Sequence, residues 1–273
     1  MISSMLQYLF DLQGYVVLKN VVSAEVMEAC NRAMARIEAM DPAQYPDPLL
    51  KYTVRPDVND TGDRPLASPA DSELYVSNIL EGDAVFQSLI DLPEVIDVVR
   101  DVTGSSFRLN HTYGIWRWGR GFTRLHHNGT PCLPYAQYRC CNGQIISNLT
   151  KAVFPMTDVG PQDGGFAVIP GSHKSNFTRP WSDHPDDNPA LVPVLAKAGD
   201  CIVFTEALAH GSTVNASGCP RRTVYLCYSA GWTPDWGGAE LGLRFSKQLL
   251  GRLTESQAQI VCMKDLDAPM DKG

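Results

Sequence analysis

The spacing of apolar positions changes character at Gly104. Before it, the periods are mostly helical. Gly14-Tyr-Val-Val-Leu-Lys19 is a short β-branched run opened by glycine, and it predicts a strand. Ser23 suits a helix N-cap, and Val26, Met27, Cys30, Met34, Ile37 and Met40 then recur near helical spacing until Asp41-Pro42. From about residue 41 to 69 the chain is rich in Pro, Asp and Tyr and shows no period. A long surface loop is expected there, placed as a lid over a site. Residues 71–102 read as helix again, with Leu89, Ile90, Val95, Ile96, Val98 and Val99 on the apolar face and a break at Leu92-Pro93.

After Gly104 the runs shorten. Strands are expected at 107–118, 145–156, 166–169, 191–195, 201–207 and 222–228, separated by turns such as Gln162-Asp-Gly-Gly165 and Pro170-Gly-Ser172. Helices followed by short, spaced strands predict a mainly β fold with flanking helices, a double-sheet jelly roll. One more helix is expected at 241–253, before a frayed tail. The pattern suits one domain over 1–273: a helical buttress and lid loop (1–104), a β core (105–235), and a C-terminal helix and tail (236–273).

Composition narrows the function. A net charge of -7 leaves no basic stripe for nucleic acid or an acidic membrane surface. No apolar run approaches a membrane span, and the start has no basic region ahead of an apolar one, so a cytoplasmic setting is expected. The eight cysteines form no Cys-x-x-Cys pair, which favours reduced thiols. Cys132, Cys140 and Cys141 are expected to be small buried residues rather than ligands.

Two stretches carry candidate chemistry: Arg124-Leu-His-His-Asn-Gly-Thr-Pro131 and Gly199-Asp-Cys-Ile-Val-Phe-Thr-Glu-Ala-Leu-Ala-His-Gly-Ser212. If the second is one strand, alternation puts Glu206, Leu208 and His210 on one face. The spacing is wide for two ligands of one ion unless Glu206 leans inward or the strand bulges. A distant strand would bring His126 or His127 across to them. Two histidines and a carboxylate on a β scaffold are the facial set of non-haem Fe(II) oxygenases. The plainer account of each histidine is a satisfied core or surface residue, and that of Glu206 a salt bridge to an arginine such as Arg124. Eleven residues past His210, Arg221 opens the next strand. An inward guanidinium beside a metal needs an anion, and a dicarboxylic co-substrate chelating that metal would supply one.

Three segments then resemble the phytanoyl-CoA dioxygenase family of Fe(II)/2-oxoglutarate-dependent oxygenases. They are Asp11-Leu-Gln-Gly-Tyr-Val-Val-Leu-Lys-Asn20, Asp158-Val-Gly-Pro-Gln-Asp-Gly-Gly-Phe-Ala-Val-Ile-Pro-Gly-Ser-His-Lys174, and Gly199-Asp through His210-Gly-Ser212 and Asn215 to Pro220-Arg221. The resemblance implies a double-stranded β-helix (cupin-like) core, Fe(II), 2-oxoglutarate as co-substrate, and O2. It implies that His210 is the distal ligand, that Arg221 holds the far carboxylate of 2-oxoglutarate with Ser212 beside it, and that His173 is structural.

The family's proximal motif is His-x-Asp, and here the match is His126-His127-Asn128. Asparagine stands where the carboxylate belongs. Three accounts follow: Glu206 supplies the missing ligand, a halide takes the open position as in related halogenases, or the protein is a non-catalytic β-barrel that binds a ligand without turnover. The first is adopted, with His126, Glu206 and His210 as ligands; Asn128 is expected to fill the space a halide would need. His127 should point away on an extended chain, with a place in the ligand lining or a His127-x-Gly129 motif as the other options. His111, Tyr113, His127 and Tyr138 are the expected substrate contacts. Arg117, Arg120, Arg124 and Arg139 add local positive charge that suits a small polar or anionic metabolite, hydroxylated or dealkylated. No feature singles out a site for the phosphates of CoA.

Overall fold

The computed structural model describes residues 1–41, 44–45, 50–54 (backbone only), 73–119, 121–233 and 245–261. Helix α1 (Ser4–Gln13) starts where the Ser3 hydroxyl accepts from the Leu6 amide and ends at Gly14, whose φ of 84° turns the chain into strand β1 (Tyr15–Leu18). Helix α2 (Ala24–Ala39) is capped the same way by Ser23 and buries Met27, Cys30, Ala33, Met34 and Ile37. Strands β2 (Leu50–Val54) and β3 (Glu73–Ser77) follow, and then helix α3 (Pro93–Thr103), which has proline in its first turn and stops at Gly104. The β core contains β4 (Phe107–Arg117), β5 (Tyr138–Cys141), β6 (Gln144–Ser147), β7 (Leu149–Pro155), β8 (Phe166–Val168), β9 (Val192–Pro193), β10 (Cys201–Thr205), β11 (His210–Ser212) and β12 (Arg221–Ala230). Short helices α4 (Lys247–Leu250) and α5 (Glu255–Val261) close the described chain.

A seven-stranded antiparallel sheet runs β1-β10-β7-β12-β4-β3-β2 and faces a three-stranded sheet, β11-β8-β9; β5 and β6 form a separate hairpin. Alternation sorts the large sheet's two faces. Ala152, Phe154, Cys201, Val203, Leu226 and Tyr228 join the helices in one apolar cluster with Met34, Phe86, Val99 and Trp116. Val153, Ile202 and Phe204 point the other way and meet Phe166, Val168, Val194 and Leu208 between the sheets. Each such large side chain contributes about 1.5–3 kcal/mol on burial. The mainly β, two-sheet architecture is the one expected.

Several local expectations change. The 71–102 segment opens with a strand, because Leu74 and Val76 alternate into the core while the backbone pairs with β4. Two 3-10 turns, Ile79–Glu81 and Ala84–Leu89, precede α3. The supposed lid contains β2, while 55–69 lies outside the described residues, so the first hundred residues add strands β1, β2 and β3 to the main sheet besides buttressing it. The 145–156 run is two strands, broken where the Asn148 amide and side chain donate to the carbonyls of Gln137 and Pro134. The expected 241–253 helix is reduced to α4, with 241–244 outside the described residues, and α5 stands in part of the supposed tail. Cys132, Cys140 and Cys141 are exposed, the last two on the β5–β6 hairpin that lies apart from both main sheets.

Candidate active site

The second stretch is not one strand. β10 ends at Thr205 in the large sheet, the chain turns through Glu206 to Ala209, and β11 begins at His210 in the small sheet. An unbroken strand would hold Glu206 and His210 roughly 13 Å apart at ~3.3 Å per residue. The crossover instead brings Glu206 Oε2 to 3.9 Å from His210 Nε2. Sharing a strand face was therefore the wrong reason for pairing them; the turn between sheets does it.

His126 joins from the other side of β11. Its amide and carbonyl exchange hydrogen bonds with those of His210, at 3.0 and 3.1 Å, and the ring centroids lie 4.1 Å apart. This close approach requires Gly211, where a Cβ would meet the Thr123 carbonyl oxygen at 2.6 Å. The Pro170–Lys174 turn ties the two stretches together: the Gly129 amide donates to the Ser172 carbonyl, and the Ala209 amide to the Ser172 hydroxyl. In the same turn His173 donates through Nε2 to the Asp11 carbonyl, a structural role.

One potential ligand atom from each of His126, Glu206 and His210 lies within 4.8 Å of the others. Both imidazoles are oriented alike. His126 Nδ1 donates to the Arg124 carbonyl at 2.8 Å and His210 Nδ1 to the Leu208 carbonyl at 2.7 Å, which leaves each Nε2 as the lone-pair nitrogen. Burial holds His210 well below the usual imidazole range, so it is neutral as a ligand must be. His126 is the most exposed of the three.

Glu206 is buried, and its counter-charge is Lys151 rather than Arg124. Both carboxylate oxygens lie within 3.0 Å of Lys151 Nζ, but only Oε1 is hydrogen-bonded; Oε1 is also 3.0 Å from His127 Nε2. Oε2 is buried without a hydrogen-bond partner. Burial alone would raise this carboxyl group; Lys151, His127 and His210 outweigh it and hold Glu206 well below the ordinary range. An orphaned carboxylate oxygen beside two lone-pair nitrogens is a donor set that fits a divalent transition metal.

The neighbours hold several surprises. His127 turns into the site instead of away, because its φ of 59° breaks the alternation of an extended chain. Asn128 leaves the site: its amide donates to the carbonyls of Thr130 and Phe177, so it does not fill a halide's space. Lys151 went unforeseen, although a lone lysine inside Leu-Thr-Lys-Ala-Val-Phe-Pro was the available signal; all seven residues of that strand are buried. His111 and Tyr113 lie on the inner face of β4, stacked at 5.8 Å, and the Tyr113 ring is 5.7 Å from Lys151 Nζ. Burial and then Lys151 push His111 down to about 3. Tyr138 is occupied elsewhere, its hydroxyl donating to Asp11 and its ring edge-on to His173.

Arg221 opens β12 directly across from Arg117. Arg117 is satisfied: it pairs with Glu73 and donates to the hydroxyls of Ser212 and Thr123. Ser212 is thereby engaged by Arg117 and by the Thr123 amide, at 2.6 and 2.7 Å, rather than left free beside Arg221. Arg221 is buried, has no ion pair among the described residues, and keeps an unpartnered Nε in a cleft between the sheets with Phe166, Thr223 and Tyr225. Burial lowers its pKa from the usual value, with Asp163 and Tyr225 opposing. A buried guanidinium without a carboxylate partner calls for an anion. Of the other arginines, Arg139 is exposed on the hairpin and Arg120 lies outside the described residues.

Residues 10–223 match the family described as phytanoyl-CoA dioxygenase. The chain belongs to that family of Fe(II)/2-oxoglutarate-dependent oxygenases. It is 28% identical over 167 residues to dioxygenase af480 of Aspergillus fumigatus, covering 60% of this chain and 51% of that one. It is 24% identical over 255 residues to ectoine dioxygenase of Sphingopyxis alaskensis, covering 81% and 74%. The chain thus spans about half the length of the first relative. Among solved structures, HygX from Streptomyces hygroscopicus with nickel, 2-oxoglutarate and hygromycin B bound superposes with a TM-score of 0.69 at 22% identity, over 88% of this chain and 94% of that one. That likeness speaks for the fold. No described helix is long and apolar enough to cross a membrane.

Proposed function

We propose that the chain is a non-haem iron dioxygenase that uses 2-oxoglutarate and O2 to hydroxylate or dealkylate a small polar or anionic metabolite. His126, Glu206 and His210 would hold Fe(II), and Arg221 the far carboxylate of 2-oxoglutarate. The observation that carries this reading is the pairing of two oriented imidazoles and an orphaned carboxylate oxygen with a buried guanidinium that has no carboxylate partner among the described residues. Iron and 2-oxoglutarate, when bound, supply the oxidising chemistry with O2.

The chain's own groups orient and screen. The Arg124 and Leu208 carbonyls keep both Nε2 atoms unprotonated toward the ion. Apolar side chains between the sheets, among them Val153, Phe166, Val194 and Ile202, line the cleft that Arg221 enters. Stacked Tyr75, Tyr113 and Tyr225, with centroids 4.9 and 4.4 Å apart, line the inner face of the large sheet together with His111 and favour a polar substrate over a hydrocarbon. Small molecules also mark two relatives, ectoine by name and hygromycin B as bound. A cytoplasmic setting accords with the free thiols of the seven described cysteines.

The test is optical. Protein loaded anaerobically with Fe(II) and 2-oxoglutarate should show a visible metal-to-ligand charge-transfer band, lost in His210→Ala and Arg221→Ala. No band in the wild type overturns the reading in favour of a non-catalytic binding protein. Chloride-dependent product formation would replace hydroxylation by halogenation.

A further inference from the structure

The carboxylate of this site stands on a turn, at the end of a side chain with three free torsions, and two residues meet it from opposite sheets. Lys151 projects from β7 of the large sheet with its side chain 7% exposed. His127 comes from the stretch paired to the small sheet and adopts a φ of 59°, a left-handed conformation that costs a residue with a Cβ about 1 kcal/mol or more. That conformation brings Nε2 to 3.0 Å from Glu206 Oε1. Lys151 Nζ faces both carboxylate oxygens, 3.0 Å from Oε1 and 2.9 Å from Oε2, and Oε2 accepts no hydrogen bond on the side of His210.

We propose that His127, held on Oε1 of Glu206, and Lys151, bridging both carboxylate oxygens, form a clamp that fixes the carboxylate with Oε2 turned toward His210 and the metal. Both are positioning residues, acting through Glu206. The clamp rests on the assignment of Glu206 as a ligand, and it gives a long side chain on a turn the orientation it would otherwise lack. It also explains the strained backbone at His127, which the hydrogen bond to Glu206 offsets. Lys151 further places a positive charge against the carboxylate in a buried position, which holds Glu206 in place before any ion arrives.

Calorimetric titration of the metal-free protein with Co(II), without 2-oxoglutarate or substrate, separates the two levels. His127→Asn is the principal variant because asparagine tolerates the left-handed backbone. Its melting temperature without metal is expected to match the wild type, and its Co(II) affinity to fall about 10- to 100-fold. Lys151→Met should weaken binding comparably; if stranding the carboxylate in the core prevents folding, His127→Asn carries the test alone. Glu206→Gln should weaken binding by more than roughly 100-fold, as loss of a direct ligand demands. The Cu(II) form should show hyperfine coupling to two imidazole nitrogens in both the wild type and His127→Asn.

Wild-type Co(II) affinity in His127→Asn, with binding lost in Glu206→Gln, overturns the clamp and leaves the metal assignment standing. Wild-type affinity in Glu206→Gln overturns the assignment itself. Loss of one coupled nitrogen in His127→Asn makes His127 a ligand, and the clamp falls.

Discussion

The seven-stranded and three-stranded sheets face each other across one core, but different forces hold them. The large sheet has long ladders, helices packed on its outer face, and core side chains such as Phe154, Val203 and Leu226 that are wholly buried. The small sheet has strands of two or three residues and depends on side-chain and turn contacts, chiefly the Ser172 turn and the close approach of Gly211 to Thr123. Yet both candidate imidazole ligands belong to the small sheet and its bridge, whereas Lys151 and Arg221 belong to the large one. Glu206 stands on the crossover between them. The large sheet offers rigidity and fixed charge; the small one offers adjustable backbone that can be bent around an ion.

Mutations should divide accordingly. Phe154→Ala on the outer face of the large sheet should cost about 3–5 kcal/mol of folding stability in urea titration, with residual folded protein still binding metal. His210→Ala should show the opposite balance: Fe(II) affinity down by more than roughly 100-fold, or about 3 kcal/mol, with a near-normal melt in the absence of metal. A variant of either kind that lost both properties together would merge the two regions into one cooperative unit. Arg221→Gln should raise the Michaelis constant for 2-oxoglutarate about 10- to 100-fold while leaving Co(II) affinity unchanged, because a charged hydrogen-bonding partner is worth about 1.5–3 kcal/mol.

Asp200 tests the joint between the large sheet and the helical layer. Its carboxylate accepts from the amides of Asn20 and Lys197 and pairs with Lys19 at 2.9 Å. Burial raises its pKa, but these donors lower it further, and the net direction is down. A carboxyl lowered in the folded state stabilises at pH values above its unfolded value of about 3.9 and loses that contribution as the pH falls through the folded value. Asp200→Asn should therefore cost about 1.5–3 kcal/mol at neutral pH, and its deficit should shrink on acidification below about pH 4. Tyr138→Phe should have the smallest effect, about 1 kcal/mol of stability from the lost bond to Asp11, with substrate turnover unchanged. A raised substrate Michaelis constant in that variant would return Tyr138 to the site.

Residue types and local periodicity carried a good part of this protein. The β1 run, the capped α2 helix, the short strands after Gly104 and the strand that opens at Arg221 were all legible, because each depends on neighbours within one element. Elements that depend on a distant partner were not. Strand β3 forms only because β4 offers a ladder, and the 145–156 run breaks only because Asn148 finds Gln137 and Pro134.

The same division applies within the site. The sequence by itself determined which groups were available: His126, His127, Asn128, Glu206, His210 and Arg221. Tertiary structure decided what each one meets. The switch of sheets after Thr205 draws Glu206 and His210 together, a left-handed backbone turns His127 inward, and a strand remote in sequence delivers Lys151. Strand alternation cannot foresee such contacts, since it holds only while the chain stays in one sheet, and this site is built where the chain leaves one sheet for the other.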